Sequence, residues 1–128
     1  MARILYVDCC PERVEQVCSM LEELGHVVHC VNCAERAMLQ VQSEEGYEAV
    51  VMHLFLPGMD GAELSRWMAE WHLPDGITEV AFTCRGEHSP VDLSRGLPRW
   101  LPVDRFIEGL EAPEELVAAV RELLDEQE

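Results

Sequence analysis

The chain has 128 residues, with 9 Lys+Arg against 25 Asp+Glu and a formal net charge of −16. Every cation is an arginine and there is no lysine, which excludes Schiff-base chemistry, a phosphate-loop lysine and a lysine general base. So acidic a chain is also unsuited to nucleic-acid backbones and anionic membranes, which leaves proteins, especially those with basic surfaces, as the expected partners.

Ile4-Leu5-Tyr6-Val7 is an apolar run ending at Asp8 and reads as a buried strand. Pro11 suits the first position of a helix, and Val14, Val17, Cys18, Leu21 and Leu24 then recur at three- and four-residue spacing as far as Gly25. His26 to Cys30 reads as a second strand, and Ala34, Ala37, Met38 and Val41 mark a second helix. Ala49 to Met52 is a third apolar run, closing at His53. After the Pro57-Gly58-Met59-Asp60-Gly61 loop, Leu64, Trp67, Met68 and Trp71 describe a third helical stripe. Val80 to Thr83 is the fourth strand. The stretch from Cys84 to Pro102 is rich in Pro and Gly, with a short helix expected around Val91 to Arg95. Val103 to Ile107 is the fifth strand, followed by a turn at Glu108-Gly109, and Pro113 opens a final helix with Leu116, Val120, Leu123 and Leu124 inward.

Short apolar strands alternating with helices imply a parallel sheet covered on both faces. Five such units fill residues 1–128 as one domain. The expected fold is α/β and flavodoxin-like, with strand order 2-1-3-4-5, so that function gathers at the carboxyl ends of the strands. No apolar run nears the roughly 20 residues of a membrane span. The amino terminus enters a strand without a signal-peptide layout. The six cysteines are therefore expected as reduced thiols in a cytoplasmic protein.

At this point the chain resembles the response-regulator receiver domains of the chemotaxis type over essentially its whole length. The resemblance is carried by Ile4 to Asp8, by Leu56-Pro57-Gly58-Met59-Asp60-Gly61 after the third strand, by Thr83 closing the fourth, and by Pro113-Glu114-Glu115-Leu116. It implies self-phosphorylation of a strand-three aspartate with magnesium held by two acidic residues after strand one, assisted by a Ser/Thr and a lysine. Asp8 matches the first acidic position, but Cys9 stands at the second. His53 stands where the acceptor aspartate belongs, and Gly109 where the lysine belongs, with Leu110 in place of the usual proline. Thr83 matches the Ser/Thr, and Phe106 the switching aromatic of the fifth strand.

These departures remove the chemistry. Magnesium takes oxygen ligands in near-octahedral geometry, and imidazole and thiolate substitute poorly. No catalytic residue and no cofactor are expected, and the chain reads as a non-enzymatic pseudo-receiver that signals by protein contact in a two-component-type pathway. In the family the fourth helix, fifth strand and fifth helix carry dimer and output contacts. Here that face holds Trp100, Phe106, Ile107 and Leu110, for a protein partner or a homodimer.

Three readings compete at single residues. His53 either fills a defunct pocket beside Asp8 or Thr83, or serves as a metal ligand, a phosphohistidine or a pH-responsive switch. Thr83 and Phe106 form either a two-state switch or ordinary packing. Cys9, Cys10, His53 and Cys84, at adjacent strand ends, offer an alternative soft tetrahedral site and a metal or redox sensor. Cys30 and Cys33 add a C-x-x-C at a helix start.

Overall fold

The computed structural model describes residues 2–43, 46–56, 61–68, 77–86 and 103–126. The apolar runs form five parallel strands, β1 (Arg3–Val7), β2 (Val27–Val31), β3 (Ala49–His53), β4 (Thr78–Cys84) and β5 (Arg105–Leu110), in the order β2-β1-β3-β4-β5. Among the described residues, four helices accompany them: α1 (Pro11–Glu23), α2 (Ala34–Ser43), α3 (Gly61–Trp67) and α4 (Pro113–Glu126). The architecture is the expected flavodoxin-like receiver fold. The short helix expected around Val91 to Arg95 lies outside the described residues, as do Trp71, Trp100 and the turn from Pro57 to Asp60.

Alternation along each strand divides the core in two. Ile4, Tyr6, Val51, Val80 and Phe82 pack on one face with Val17 and Leu21 of α1 and Leu116 and Val120 of α4. Leu5, Val7, Val50, Met52 and Ala81 pack on the other with Ala34 and Ala37 of α2 and Leu64 of α3. β3 is buried along its whole length because it has a strand on each side and helices on both faces. Among the described residues no helix is long and apolar enough to cross a membrane.

Local chemistry sets the ends. Pro11 opens α1, where its missing N–H is no loss. Gly25, at φ +92°, closes it: its N–H bonds Glu22 O at 2.9 Å and that of His26 bonds Leu21 O at 3.2 Å. Leu24, assigned to the apolar stripe, is instead 43% exposed because it is the capping residue rather than part of the inward face.

The structure shifts three expectations. β2 begins one residue later than expected. β5 runs from Arg105 to Leu110, so Glu108 and Gly109 belong to the strand and not to a turn after it. A register irregularity between Phe82 and Cys84, together with φ +71° at Gly109, lets the ladder resume at the Cys84–Leu110 pair. Cys18 and Cys30 are joined as a disulfide, against the expectation of reduced thiols, because the inner face of α1 lies over β2. Cys30 is thereby paired away from Cys33, which is not disulfide-bonded, nor are Cys9, Cys10 and Cys84.

Candidate functional site

β1 and β3 are neighbours, with Val7 opposite Met52, so the residues that follow them, Asp8 and His53, meet at the carboxyl edge of the sheet. Both are buried, at 1% and 5% exposure. Tyr6, two residues before Asp8 and on the same face, donates its hydroxyl to Oδ2 at 2.7 Å. Arg13 reaches back from the first turn of α1 and grips the carboxylate with two donors, Nε to Oδ2 at 2.6 Å and Nη2 to Oδ1 at 2.8 Å. The Cys10 backbone N–H adds a bond to Oδ1 at 3.2 Å. His53 Nδ1 stands 3.4 Å from that same oxygen.

An aromatic floor holds these groups. The His53 ring stacks on Phe82 with centroids 5.1 Å apart and planes at 16°, and Phe82 in turn stacks against Tyr6 at 6.3 Å. The Arg13 guanidinium lies 5.4 Å from the Phe82 centroid, a cation–π placement that adds to its ion pair. Phe55 meets His53 edge-on at 6.2 Å.

The electrostatics follow from this packing. Burial opposes ionisation of Asp8, but hydrogen bonds from His53, Arg13 and Tyr6 outweigh it and hold the carboxyl below its ordinary 3.8. Burial and the adjacent Asp8 charge push the Tyr6 phenol far upward. For Arg13, burial is outweighed by its bonds to Asp8, which keep the guanidinium charged. Burial and the charge of Asp8 also raise the Cys9 thiol. Asp8 and Arg13 are thus an internally neutralised pair.

The remaining pocket positions separate. Thr83 is fully buried and its Oγ1 accepts the Gly109 backbone N–H at 3.0 Å. The hydroxyl is therefore bound to the strand position where the resemblance implies a lysine. Phe106 pairs with Ala81 and packs half-buried toward α2 and α3, away from Asp8. Ile107 is half-buried against the opposite cluster. Leu110, expected on the partner surface, is instead 5% exposed within the core, because the extended β5 carries it under α4. Of the four proposed metal-ligating residues, only Cys9 and His53 share a cluster, and they do so with Asp8; Cys10 and Cys84 stand outside it. The positions themselves were readable from strand ends. Nothing in the sequence marks Tyr6 or Arg13 as partners of Asp8.

A second polar site was also missed. Glu79 of β4 is 7% exposed, accepts the Ser65 hydroxyl of α3 at 3.1 Å, and donates its backbone N–H to Asp104 at 2.7 Å. Burial, with the Asp104 charge adding to it, raises its carboxyl to about 7 even though the Ser65 bond favours the ionised form.

Magnesium, which the resemblance implies, does not fit these residues. Asp8 supplies the cluster's only carboxylate, both of whose oxygens are engaged by Arg13, and the other two donors are a thiol and an imidazole.

No protein-family model matches the chain. Among curated proteins it is 47% identical to the sensory/regulatory protein RpfC of Xanthomonas campestris pv. campestris over 45 residues, 35% of this chain. It is 27% identical to the sensor protein GacS of Pseudomonas syringae pv. syringae over 95 residues, 74% of this chain. The matched segments span 6% of RpfC and 10% of GacS. Among solved structures, the receiver domain of Francisella response regulator 1452 superposes with TM-score 0.81 over 100% of both chains at 16% identity. The signal receiver domain of a histidine kinase from Syntrophus aciditrophicus gives 0.78 at 26% identity, over 98% of this chain and 91% of that one. A chain from the complex of histidine kinase ThkA with response regulator TrrA gives 0.75 at 25% identity, over 97% and 99%. Together these likenesses show the fold of response-regulator receiver domains.

Proposed function

We propose that this receiver-type domain works as a pseudo-receiver: it signals in the cytoplasm by phosphorylation-independent contact with a protein partner and is not itself an enzyme. The observation that carries the reading is the Asp8–Arg13 pair. A cation of the chain itself occupies the carboxylate that would otherwise serve magnesium, while β3 ends in His53 and offers no acceptor carboxylate. Without lysine anywhere in the chain, no ammonium is available to meet an incoming phosphoryl group. Thr83, tied to Gly109, fills its place structurally and is released from the role of a phosphate-sensing switch.

The partner we infer is a protein, by analogy with a neighbour whose structure pairs a histidine kinase with a response regulator, and the acidity of this chain suits one with a basic surface. The net charge of −16 speeds encounter with such a partner and makes it salt-sensitive. Phe106, Ile107 and the exposed Glu108 of β5 belong to the proposed contact face, with Trp100 completing it and a homodimer as the alternative use.

The test is capture from native extract on the immobilised domain, with magnesium and a small-molecule phosphodonor either present or absent. The same partner is expected in both conditions, released by raised salt. A partner retained only with the phosphodonor would overturn the reading.

A further inference from the structure

We propose that Asp8, Cys9 and His53 form a zinc-binding site with a fourth coordination position open to solvent. The inference goes beyond the signalling role and stands whether or not a partner binds. One donor atom from each residue, a carboxylate oxygen, a thiol sulfur and an imidazole nitrogen, falls within 4.8 Å of the others. Among the described residues no other cluster of three such groups occurs.

The geometry suits the ion. His53 Nδ1 and Asp8 Oδ1 are 3.4 Å apart. That separation also matches the edge of a tetrahedral site, since two donors about 2.0–2.1 Å from zinc stand about 3.3–3.4 Å apart at the tetrahedral angle. Cys9 lies on the outer side, exposed, with Sγ 3.9 Å from the Phe55 carbonyl oxygen. From there the thiol can turn onto an ion held by the two buried donors. Asp8 and Cys9 also line a cavity of about 360 Å³ shared with Asn32 and Arg36, which opens one side of the cluster to solvent.

Donor chemistry selects the metal. A nitrogen, a sulfur and an oxygen form a borderline-soft set that suits zinc and disfavours magnesium. The replacements that remove magnesium chemistry, Cys9 and His53, are the ones that supply the soft donors. The supporting contacts are already in place. Tyr6 and Arg13 hold Oδ2 at 2.7 and 2.6 Å and so aim Oδ1 at His53, while stacking on Phe82 fixes the imidazole plane. Oδ1 also accepts Arg13 Nη2 at 2.8 Å and the Cys10 backbone N–H at 3.2 Å, so zinc enters by displacing Nη2 while Nε keeps its bond to Oδ2; magnesium, which gains little from a thiol and an imidazole, has no such compensation.

The site is tested by titrating the full chain with Co²⁺, free of thiol reductants, and then displacing it with Zn²⁺. A single tight site with a thiolate-to-cobalt charge-transfer band is expected, bleached by stoichiometric Zn²⁺ and unmoved by excess Mg²⁺. Cys9→Ser should abolish the band, and because Cys9 is exposed this variant keeps the core. His53→Ala, checked for native circular dichroism, should weaken binding by at least about tenfold. Cys84→Ser should leave both unchanged. No binding, a complex without the sulfur band, or a band that survives Cys9→Ser or is lost with Cys84→Ser would each overturn the proposal.

Discussion

At Asp8, burial and hydrogen bonding pull in opposite directions, and the bonds prevail, so the folded carboxyl ionises below its ordinary 3.8. A depressed carboxyl pKa contributes stability that is present above the unfolded value and is lost as pH falls through the folded one. Acid unfolding should therefore set in below about pH 4 and be blunted in Asp8→Asn, as read by circular dichroism across a pH series. Arg13 is the other half of this balance. Arg13→Met leaves a buried anion without its cation and should cost about 3 kcal/mol in urea denaturation; a loss under about 1 kcal/mol would show that His53 and Tyr6 suffice. The meeting of Asp8, Cys9 and His53 was legible because apolar runs end on them and neighbouring parallel strands end together. The Arg13 contact was not, since one arginine in a polar first turn carries no mark of the direction it faces.

At the level of elements, β4 and β5 depart from their expected spans for local reasons, a satisfied polar group in one and a glycine conformation in the other. The apolar run of β4 begins at Val80, yet Ser65 and the backbone link to Asp104 let the strand begin at Thr78 with the Glu79 carboxyl inside. With its pKa raised from 4.5 to about 7, Glu79 gives stability that is fully present below the unfolded value and lost as pH rises through the folded one. Glu79→Gln should therefore flatten the decline in melting temperature between pH 5 and 8, with a gain of about 3 kcal/mol at most at the upper end. A decline as steep as in the parent would contradict this assignment. In the sequence, Glu108-Gly109 reads as a turn and ends the expected β5 at Ile107. Gly109 instead takes a left-handed conformation inside the ladder, and a Cβ there would meet nothing within 4 Å. Gly109→Lys, which restores the residue type the resemblance implies, should then cost about 1 kcal/mol from backbone strain alone and restore no phosphorylation. Differential thermal unfolding checks the first half and protein mass the second.

For the molecule as a whole, periodicity and the order of apolar runs were enough to give the sheet order, because parallel strands buried on both faces leave few topologies. The Cys18–Cys30 disulfide was not legible, since a cysteine on a core face and one on an edge strand are each common as plain apolar residues. It closes a separation of 12 residues, and its reduction should lower stability by about 3 kcal/mol at most; an unchanged denaturation midpoint in reductant would show that the bond contributes nothing. The charge of −16 bears on partner choice and encounter rather than on fold. The central claim is that a receiver scaffold has kept its architecture while Asp8–Arg13 and His53 replace phosphoryl chemistry. Intact-protein mass spectrometry after incubation with magnesium and a small-molecule phosphodonor tests it most directly. The account predicts an unchanged mass, whereas a stoichiometric phosphoryl adduct released by hydroxylamine, the signature of an aspartyl phosphate, would contradict it.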